Sequence, residues 1–143
     1  MNVELTDLIQ NTTALFLVKH DALAKNEDSY ARTKINQEGL DILHEQMVEF
    51  TPDQAKAFYY DKQDDRFPLL QAYITEGKSL AFVVVGNDCY QKLGKLKREM
   101  RQAFNHDDMR TGSHASDDYV SAQREIEILG IKYSEIRRTL EIA

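Results

Sequence analysis

Blocks of apolar residues separated by mixed polar stretches predict a chain that alternates between strands and helices. Residues 13–18 and 79–85 are short, continuous apolar runs rich in β-prone side chains, which is typical of buried strands. Gly77 and Gly86 bracket the second run and define its bounds. Residues 40–50 predict another strand, and the polar side chains scattered through it indicate that this strand is half exposed.

Helices are predicted in the stretches between and after these strands. One spans residues 28–38 and ends at Gly39. In the next, Thr51 is expected to cap the helix, Pro52 occupies its first position, and the helix runs to Tyr60. Three further helices are predicted: residues 68–76 with Gly77 as the stop, a basic helix over residues 88–103, and residues 119–129 with Gly130 as the stop.

One histidine stands out because of the residues around it. Residues 104–113 read as a polar loop, and His114 follows it between small residues that leave its ring open to a ligand. Ser116 or Asp117 is expected to cap the helix that comes next. Glu125 lies about three helical turns beyond the histidine. An accessible imidazole with a polar partner can act as a nucleophile or an acid–base group, whereas the alternative is an incidental surface histidine beside a capped helix.

The order of these elements predicts the fold class. Strands separated by helices, with a short strand at the histidine, match a split β-α-β pattern. We therefore expect a ferredoxin-like α/β (α+β) sandwich, with helices on one face of a small four-stranded antiparallel sheet. One domain is expected over residues 1–143, with a core over about residues 13–130, a short amphipathic helix over residues 3–10 and a tail, itself predicted helical, over residues 131–143.

Composition limits the classes of function. The 143 residues are 42% hydrophobic and 29% charged, which is ordinary for a globular protein, and the longest apolar run, residues 80–85, is too short to span a membrane. The net charge of −6 argues against a nucleic-acid partner. Cys89 is the only cysteine, which excludes an internal disulfide and favours a reducing cytoplasm, and the N-terminus lacks a signal-peptide pattern. The four histidines show no metal-ligand spacing, so no metal site is expected in the protein itself.

Three segments, in order and at matching separations, resemble the nucleoside diphosphate kinase family over residues 13–130. Residues 18–21, V-K-H-D, are similar to the family's V-K-P-D. Residues 67–86 look like the family's F-P-x-L-x-x-Y-x-x-x-G-x-x-x-A-x-V-x-x-G. Residues 114–118, H-A-S-D-D, resemble H-G-S-D-S, and residues 122–126 keep the family's A-x-x-E-I spacing.

The resemblance implies a ping-pong phosphoryl transfer. In that reaction a histidine takes the γ-phosphoryl group of a nucleoside triphosphate and passes it to a nucleoside diphosphate. By this resemblance His114 is the nucleophile, Glu125 holds its ring, and Ser116 supports the pair. Magnesium is implied as part of the substrate, carried by ATP or another nucleoside triphosphate.

The resemblance also implies a set of phosphate-binding cations. Lys19 matches the family's phosphate-binding lysine, and Arg98 precedes Asn105 at the spacing of the arginine in R-x-x-x-x-x-T-N. Arg110 is expected to stand in for an arginine that the family places in the loop before its histidine. Cations at these positions would neutralise phosphate charge during transfer.

Two more positions complete the predicted nucleotide-binding set. Arg66 occupies the place of the aromatic residue that stacks on the base, and a guanidinium can stack there instead. Leu70 is the second of these positions, although the pattern also places it in the core together with Phe67 and Tyr73.

The chain departs from the family pattern near the same site. Only eight residues separate Asn105 from His114, where the family has a longer loop that contacts the phosphates and packs between subunits. Phe104 occupies the position of a phosphate-contacting threonine, and Thr111 that of an asparagine. The resemblance implies a homo-oligomer, and the short loop favours a dimer or tetramer over the family's hexamer.

Two alternatives stay open at this stage. The first is a catalytically weak or inactive nucleotide-binding or assembly module of the same fold. The second is an RNA- or DNA-binding ferredoxin-like domain that uses the basic residues 92–101, although the acidic net charge disfavours it. We assign no function to His20, His44 or His106.

Overall fold

A four-stranded antiparallel sheet is the framework of the molecule. A computed structural model describes residues 13–132. The strands lie in the order β2-β3-β1-β4, which confirms the predicted ferredoxin-like sheet. Their bounds are β1 (Thr13–Val18), β2 (Asp41–Val48), β3 (Ser79–Val85) and β4 (Ser113–Ala115).

Helices cover both faces of this sheet, so the prediction of helices on one face is wrong. Within β1, the side chains of Phe16 and Val18 lie in one apolar cluster and those of Leu15 and Leu17 lie in another, as strand geometry requires. Each cluster includes helical residues, and this double coverage explains why residues 14–18 are apolar throughout. The helices are α1 (His20–Ala24), α2 (Glu27–Gln37), α3 (Pro52–Phe58), α4 (Phe67–Thr75), α5 (Cys89–Ala103) and α6 (Tyr119–Ile128).

The start of α3 is fixed by the predicted capping residue. Thr51 Oγ1 accepts a hydrogen bond from Gln54 N at 3.1 Å, and Gln54 Oε1 accepts one from Thr51 N at 2.9 Å. This reciprocal pair is a capping box, which satisfies two of the backbone donors left free at a helix start. The helix ends at Phe58, earlier than predicted, and the Phe58 ring packs against His114 of β4.

The cap of α6 differs from the prediction. Asp118, rather than Ser116 or Asp117, caps this helix, and its Oδ1 accepts a hydrogen bond from Ser121 N at 2.8 Å. Ser116 is not available for that role because its hydroxyl bonds to Leu15 N and to Glu125. The residue that resembles a helix cap in the sequence therefore belongs to the interior.

Strand β4 pairs the histidine segment with the central strand β1. Leu17 of β1 pairs with His114, and Val18 pairs with Ser113, so the predicted loop over residues 104–113 ends one residue early. Beyond the strand, Lys19 N donates to Gly112 O at 2.8 Å. The antiparallel pairing thus sets the end of β1 beside the start of β4.

Two predicted segments lie outside the described residues. These are the helix over residues 3–10 and, apart from its first two residues, the tail over residues 131–143. Within residues 13–132, no helix combines the length and apolar character needed to cross a bilayer.

Candidate active site

A cavity of about 380 Å³ opens beside β4. It lies where the ends of β1 and β4 meet α5 and the segment that joins α3 to α4. Its lining is mainly polar and cationic, and consists of Lys19, Tyr59, Lys62, Arg66, Leu70, Lys97, Arg101, Asp108, Met109, Thr111, Ser113 and His114.

His114 is held against a buried carboxylate. Its Nε2 lies 3.0 Å from Oε1 of Glu125, whose side chain is only 5% exposed. The two groups meet at ion-pair distance but not in hydrogen-bond geometry, and Nε2 has no hydrogen-bond partner among the described residues. The ring of Phe58 packs edge-on against the imidazole, with centroids 4.8 Å apart. The ring is therefore fixed by a carboxylate and an aromatic neighbour.

Ser116 connects this pair to the central strand. Its Oγ donates to Glu125 Oε1 at 2.7 Å and accepts from Leu15 N at 3.0 Å. Because Leu15 lies in the fully buried strand β1, the carboxylate is anchored to the interior of the sheet. Hydrogen bonds of this kind position a general base or a charge-stabilising group for catalysis.

Arg124 supports the other carboxylate oxygen. Its Nη2 lies 3.6 Å from Glu125 Oε2, and its Nη1 donates to Ala57 O at 2.9 Å. The guanidinium also lies over the ring of Tyr60, 4.2 Å from its centroid. These contacts link α6 to the end of α3, which carries the aromatic wall of the site.

Lys19 is the buried cation of the cavity. Its side chain is inside the protein, and Nζ donates to Thr111 Oγ1 at 2.8 Å and lies 5.2 Å from the ring centroid of Tyr73. Desolvation lowers the pKa of Lys19 to about 7, although nearby Asp21 partly opposes this shift. No acidic side chain of residues 13–132 lies within salt-bridge distance of Nζ, and Asp21 acts on it only from further away.

The other cations make the cavity strongly electropositive. Against its cations, the lining has one acidic residue, Asp108, which pairs with Arg101 at 3.2 Å. Arg66 is exposed at the mouth and pairs with Asp64, which lies outside the lining, at 3.4 Å. A concave surface lined by one sign of charge concentrates ligands of the opposite sign. The lining cations are Lys19, Lys62, Arg66, Lys97 and Arg101.

Unpaired buried polar atoms gather at this cavity. Among the described residues, four buried side-chain polar atoms have no hydrogen-bond partner, and three of them belong to lining residues: Tyr59 Oη, Ser113 Oγ and His114 Nε2. A buried donor or acceptor without a partner costs about 1–3 kcal/mol. Such atoms are expected where a ligand or ordered water completes the bonding.

Two residues predicted for the site lie elsewhere. Arg98 does not line the cavity and instead borders shallow grooves along α5. Arg110 pairs with the carboxylate of Glu76 and lies over the ring of Tyr73, 5.0 Å from its centroid. The structure therefore brings together six of the predicted residues: His114, Glu125, Ser116, Lys19, Arg66 and Leu70.

The sequence does not single out several of the lining residues. Lys97 and Arg101 lie four residues apart, so they share one side of α5, whereas Arg98 is rotated about 100° from Lys97. This i,i+4 spacing is the sequence signal that would have indicated a shared position for Lys97 and Arg101. Nothing in the sequence identifies Tyr59 or Ser113 as site residues. What distinguishes them is that their hydroxyls are buried without a hydrogen-bond partner among the described residues, and this is visible only in the folded chain.

The short segment before β4 is tied down by a buried pair. His106 Nε2 contacts Glu27 Oε1 at 2.8 Å, and the Glu27 side chain is only 1% exposed. Tyr73 Oη donates to Asp21 at 2.7 Å and accepts from Gly112 N at 3.0 Å. Gly112 has φ +78°, and a Cβ there would lie 2.5 Å from the His106 ring, so glycine is required. His106, given no function from sequence, thus has a structural role.

Comparison with known proteins agrees with this geometry. A nucleoside diphosphate kinase family model matches residues 12–133. The nucleoside diphosphate kinase of Rickettsia bellii is 31% identical over 136 residues, which covers 84% of this chain and 93% of the relative. The Aquifex aeolicus enzyme of the same name is 29% identical over 126 residues, covering 78% of this chain and 89% of the relative.

Solved structures of nucleoside diphosphate kinases have the same fold. The Aquifex aeolicus nucleoside diphosphate kinase superposes with a TM-score of 0.71 at 28% identity, covering 82% of this chain and 93% of the other. A Halobacterium salinarum nucleoside diphosphate kinase in complex with CDP shares the fold, with a TM-score of 0.75 at 21% identity and coverage of 82% and 86%. The fold and site define a nucleoside diphosphate kinase-like α+β protein. The chain belongs to the nucleoside diphosphate kinase family, and the predicted resemblance is confirmed.

The burial of Lys19 leads to a pH-dependent stability. Its pKa is about 7 in the folded protein against an ordinary 10.5, so between these values the unfolded chain binds more protons. Stability from this residue therefore rises with pH in that window, by up to about 1.4 kcal/mol per pH unit. Urea unfolding of the wild type and Lys19→Met across the window should show the wild type gaining free energy of unfolding relative to the variant. Parallel curves would contradict the shift.

Proposed function

We propose that the chain is a nucleoside diphosphate kinase-type phosphotransferase that works through a phosphohistidine on His114. The observation that carries the proposal is the chain of contacts from His114 to Glu125 and Ser116, set beside a cavity lined by cations. A fixed imidazole and a cationic phosphate pocket are the two requirements of covalent phosphoryl transfer.

The orientation of the imidazole selects the attacking atom. Nε2 of His114 is buried and faces Glu125, so Nδ1 is the nitrogen left to attack the γ-phosphorus. A phosphorus–nitrogen bond forms while the bond to the bridging oxygen breaks, and the nucleoside diphosphate leaves with the electron pair on that oxygen. Glu125 stabilises the positive charge that develops on the ring.

The second half-reaction reverses the first with another acceptor. A terminal oxygen of a nucleoside diphosphate attacks the phosphorus, the phosphorus–nitrogen bond breaks with its electron pair going to the nitrogen, and His114 returns to its unphosphorylated state. Because one site binds both nucleotides in turn, the protein needs only one phosphate pocket. Splitting the transfer into two displacements lets one histidine serve every acceptor.

The lining residues are proposed to have two roles. Lys19, Lys97 and Arg101, which line the cavity together with His114, are proposed to neutralise phosphate charge. Arg66 and Leu70, at the start of α4, are proposed to contact the nucleoside. We propose Lys97 and Arg101 in the roles first given to Arg98 and Arg110, because only the former pair lines the cavity. Magnesium enters this proposal as part of the nucleotide, bound to phosphate oxygens.

The short segment before β4 bears on the oligomeric state. We propose a homo-dimer or tetramer, since the short segment before β4 lacks the length that the family uses between subunits. Light scattering of the purified chain should give a mass of two or four copies, and a mass of six copies would contradict this proposal.

The proposed location is a reducing cytoplasm. The single cysteine, Cys89, is buried and free, which supports this location.

A brief incubation with magnesium and ATP tests the function directly. Intact-protein mass should rise by one phosphoryl group, the adduct should be acid-labile, and an added nucleoside diphosphate should discharge it. His114→Ala should show no adduct, because the attacking nitrogen is gone. His44→Ala is the matched control and should label like the wild type, since His44 lies on β2 and bonds to Gln46.

The outcomes of this test separate the alternatives. Equal labelling of His114→Ala would overturn the assignment of the nucleophile. A folded wild type that binds ATP without an adduct would instead identify a nucleotide-binding module that has lost transfer.

A further inference from the structure

Ser113 is a buried hydroxyl without a partner next to the proposed nucleophile. The residue is 2% exposed, and its Oγ makes no hydrogen bond to any part of the chain that the structure describes. It nevertheless lines the cavity together with His114. The function proposed above assigns it no role.

The side chains of Ser113 and His114 point to opposite faces of β4. Successive side chains of a strand point to opposite faces, so Ser113 and Ala115 share a face and His114 takes the other. Ala115 packs in the apolar cluster that includes Leu93 and Met100 of α5. Ser113 therefore faces the side of the cavity that α5 covers, which is the side where Lys97 and Arg101 lie.

The hydroxyl of nearby Thr111 already has hydrogen-bond partners within the protein. Thr111 Oγ1 accepts a hydrogen bond from Lys19 Nζ at 2.8 Å and donates to the carbonyl oxygen of Ser113 at 3.3 Å. Its proton is thus used within the protein. Of these two hydroxyls, only the one on Ser113 is free to donate to a ligand.

The end of α5 offers no hydroxyl to the site. By the family resemblance, Phe104 stands where a threonine contacts phosphate, and a phenyl ring cannot make that hydrogen bond. The Phe104 ring packs edge-on against Tyr30 with centroids 5.3 Å apart, and it does not line the cavity. The site therefore has no hydroxyl at this position of α5, while it holds an unused one on β4.

We propose that Ser113 Oγ donates a hydrogen bond to a phosphate oxygen of the bound nucleotide, and so supplies from β4 the hydroxyl that Phe104 cannot offer. This inference rests on the proposed function. A hydroxyl bonded to a charged acceptor contributes more than a neutral pair, and Ser113 gains a partner only when the ligand is present. Its effect on binding and transfer is therefore expected to be about tenfold to a hundredfold.

Ser113→Ala tests the contact, and Ser79→Ala is a matched control. Ser79 is also a fully buried serine whose Oγ lacks a partner among the described residues, but it does not line the cavity. The readouts are kcat/KM with magnesium–ATP and a diphosphate acceptor, the Kd for magnesium–ATP by calorimetry, and the Tm of the ligand-free protein.

Ser113→Ala is expected to lower kcat/KM and weaken ATP binding by about tenfold to a hundredfold. Its ligand-free Tm should be unchanged or higher, because the substitution removes an unpaired buried hydroxyl. Ser79→Ala should keep the kinetics and affinity of the wild type.

Two results would overturn the inference: wild-type affinity and kcat/KM in Ser113→Ala, or equal losses in both serine variants. Failure of the proposed function looks different, since the wild type would then show no turnover. In that case calorimetry still decides the inference, because an unchanged Kd in Ser113→Ala rejects the contact and a weakened Kd supports it.

Discussion

The pairing of β4 with the central strand β1 determines where the functional side chains lie. Without that ladder His114 would sit in a loop, whereas three residue pairs fix it at the edge of a fully buried strand. The same pairing sets Lys19 next to Gly112, and Leu15 supplies the backbone donor that anchors Ser116. The β1–β4 pairing thus brings together His114 on β4, Glu125 of α6, which is bonded through Ser116, and Lys19 just beyond β1, which is the preorganisation that charge stabilisation needs.

The contacts that hold the short segment before β4 are the second feature on which the site depends. A protein that lacks a long loop must hold the remaining residues by other means, and here the buried His106–Glu27 pair ties the segment to α2. Tyr73 adds a bridge from Asp21 to the backbone of Gly112. The short segment therefore borders a defined cationic cavity rather than an open edge of the sheet.

The sequence predicted the elements with strong local signals and missed those set by tertiary contacts. Continuous apolar runs located β1 and β3, but the five-residue helix α1 has too few residues to show a period. Motif spacing identified His114 and Glu125, which the structure places side by side, yet it could not fix which way Arg98 points on α5. Ser116 resembles a helix cap because it stands just before a helix. Its observed partner, Leu15 on β1, is 101 residues away in sequence, so the local pattern could not reveal that contact.

A phosphoryl relay through His114 requires two nucleotides to occupy one pocket in turn. Initial rates measured at varied ATP and several fixed concentrations of a nucleoside diphosphate distinguish this relay from direct transfer. Parallel double-reciprocal lines are expected, because product leaves before the acceptor binds. Intersecting lines would mean that both nucleotides are bound at once, and would contradict the covalent relay.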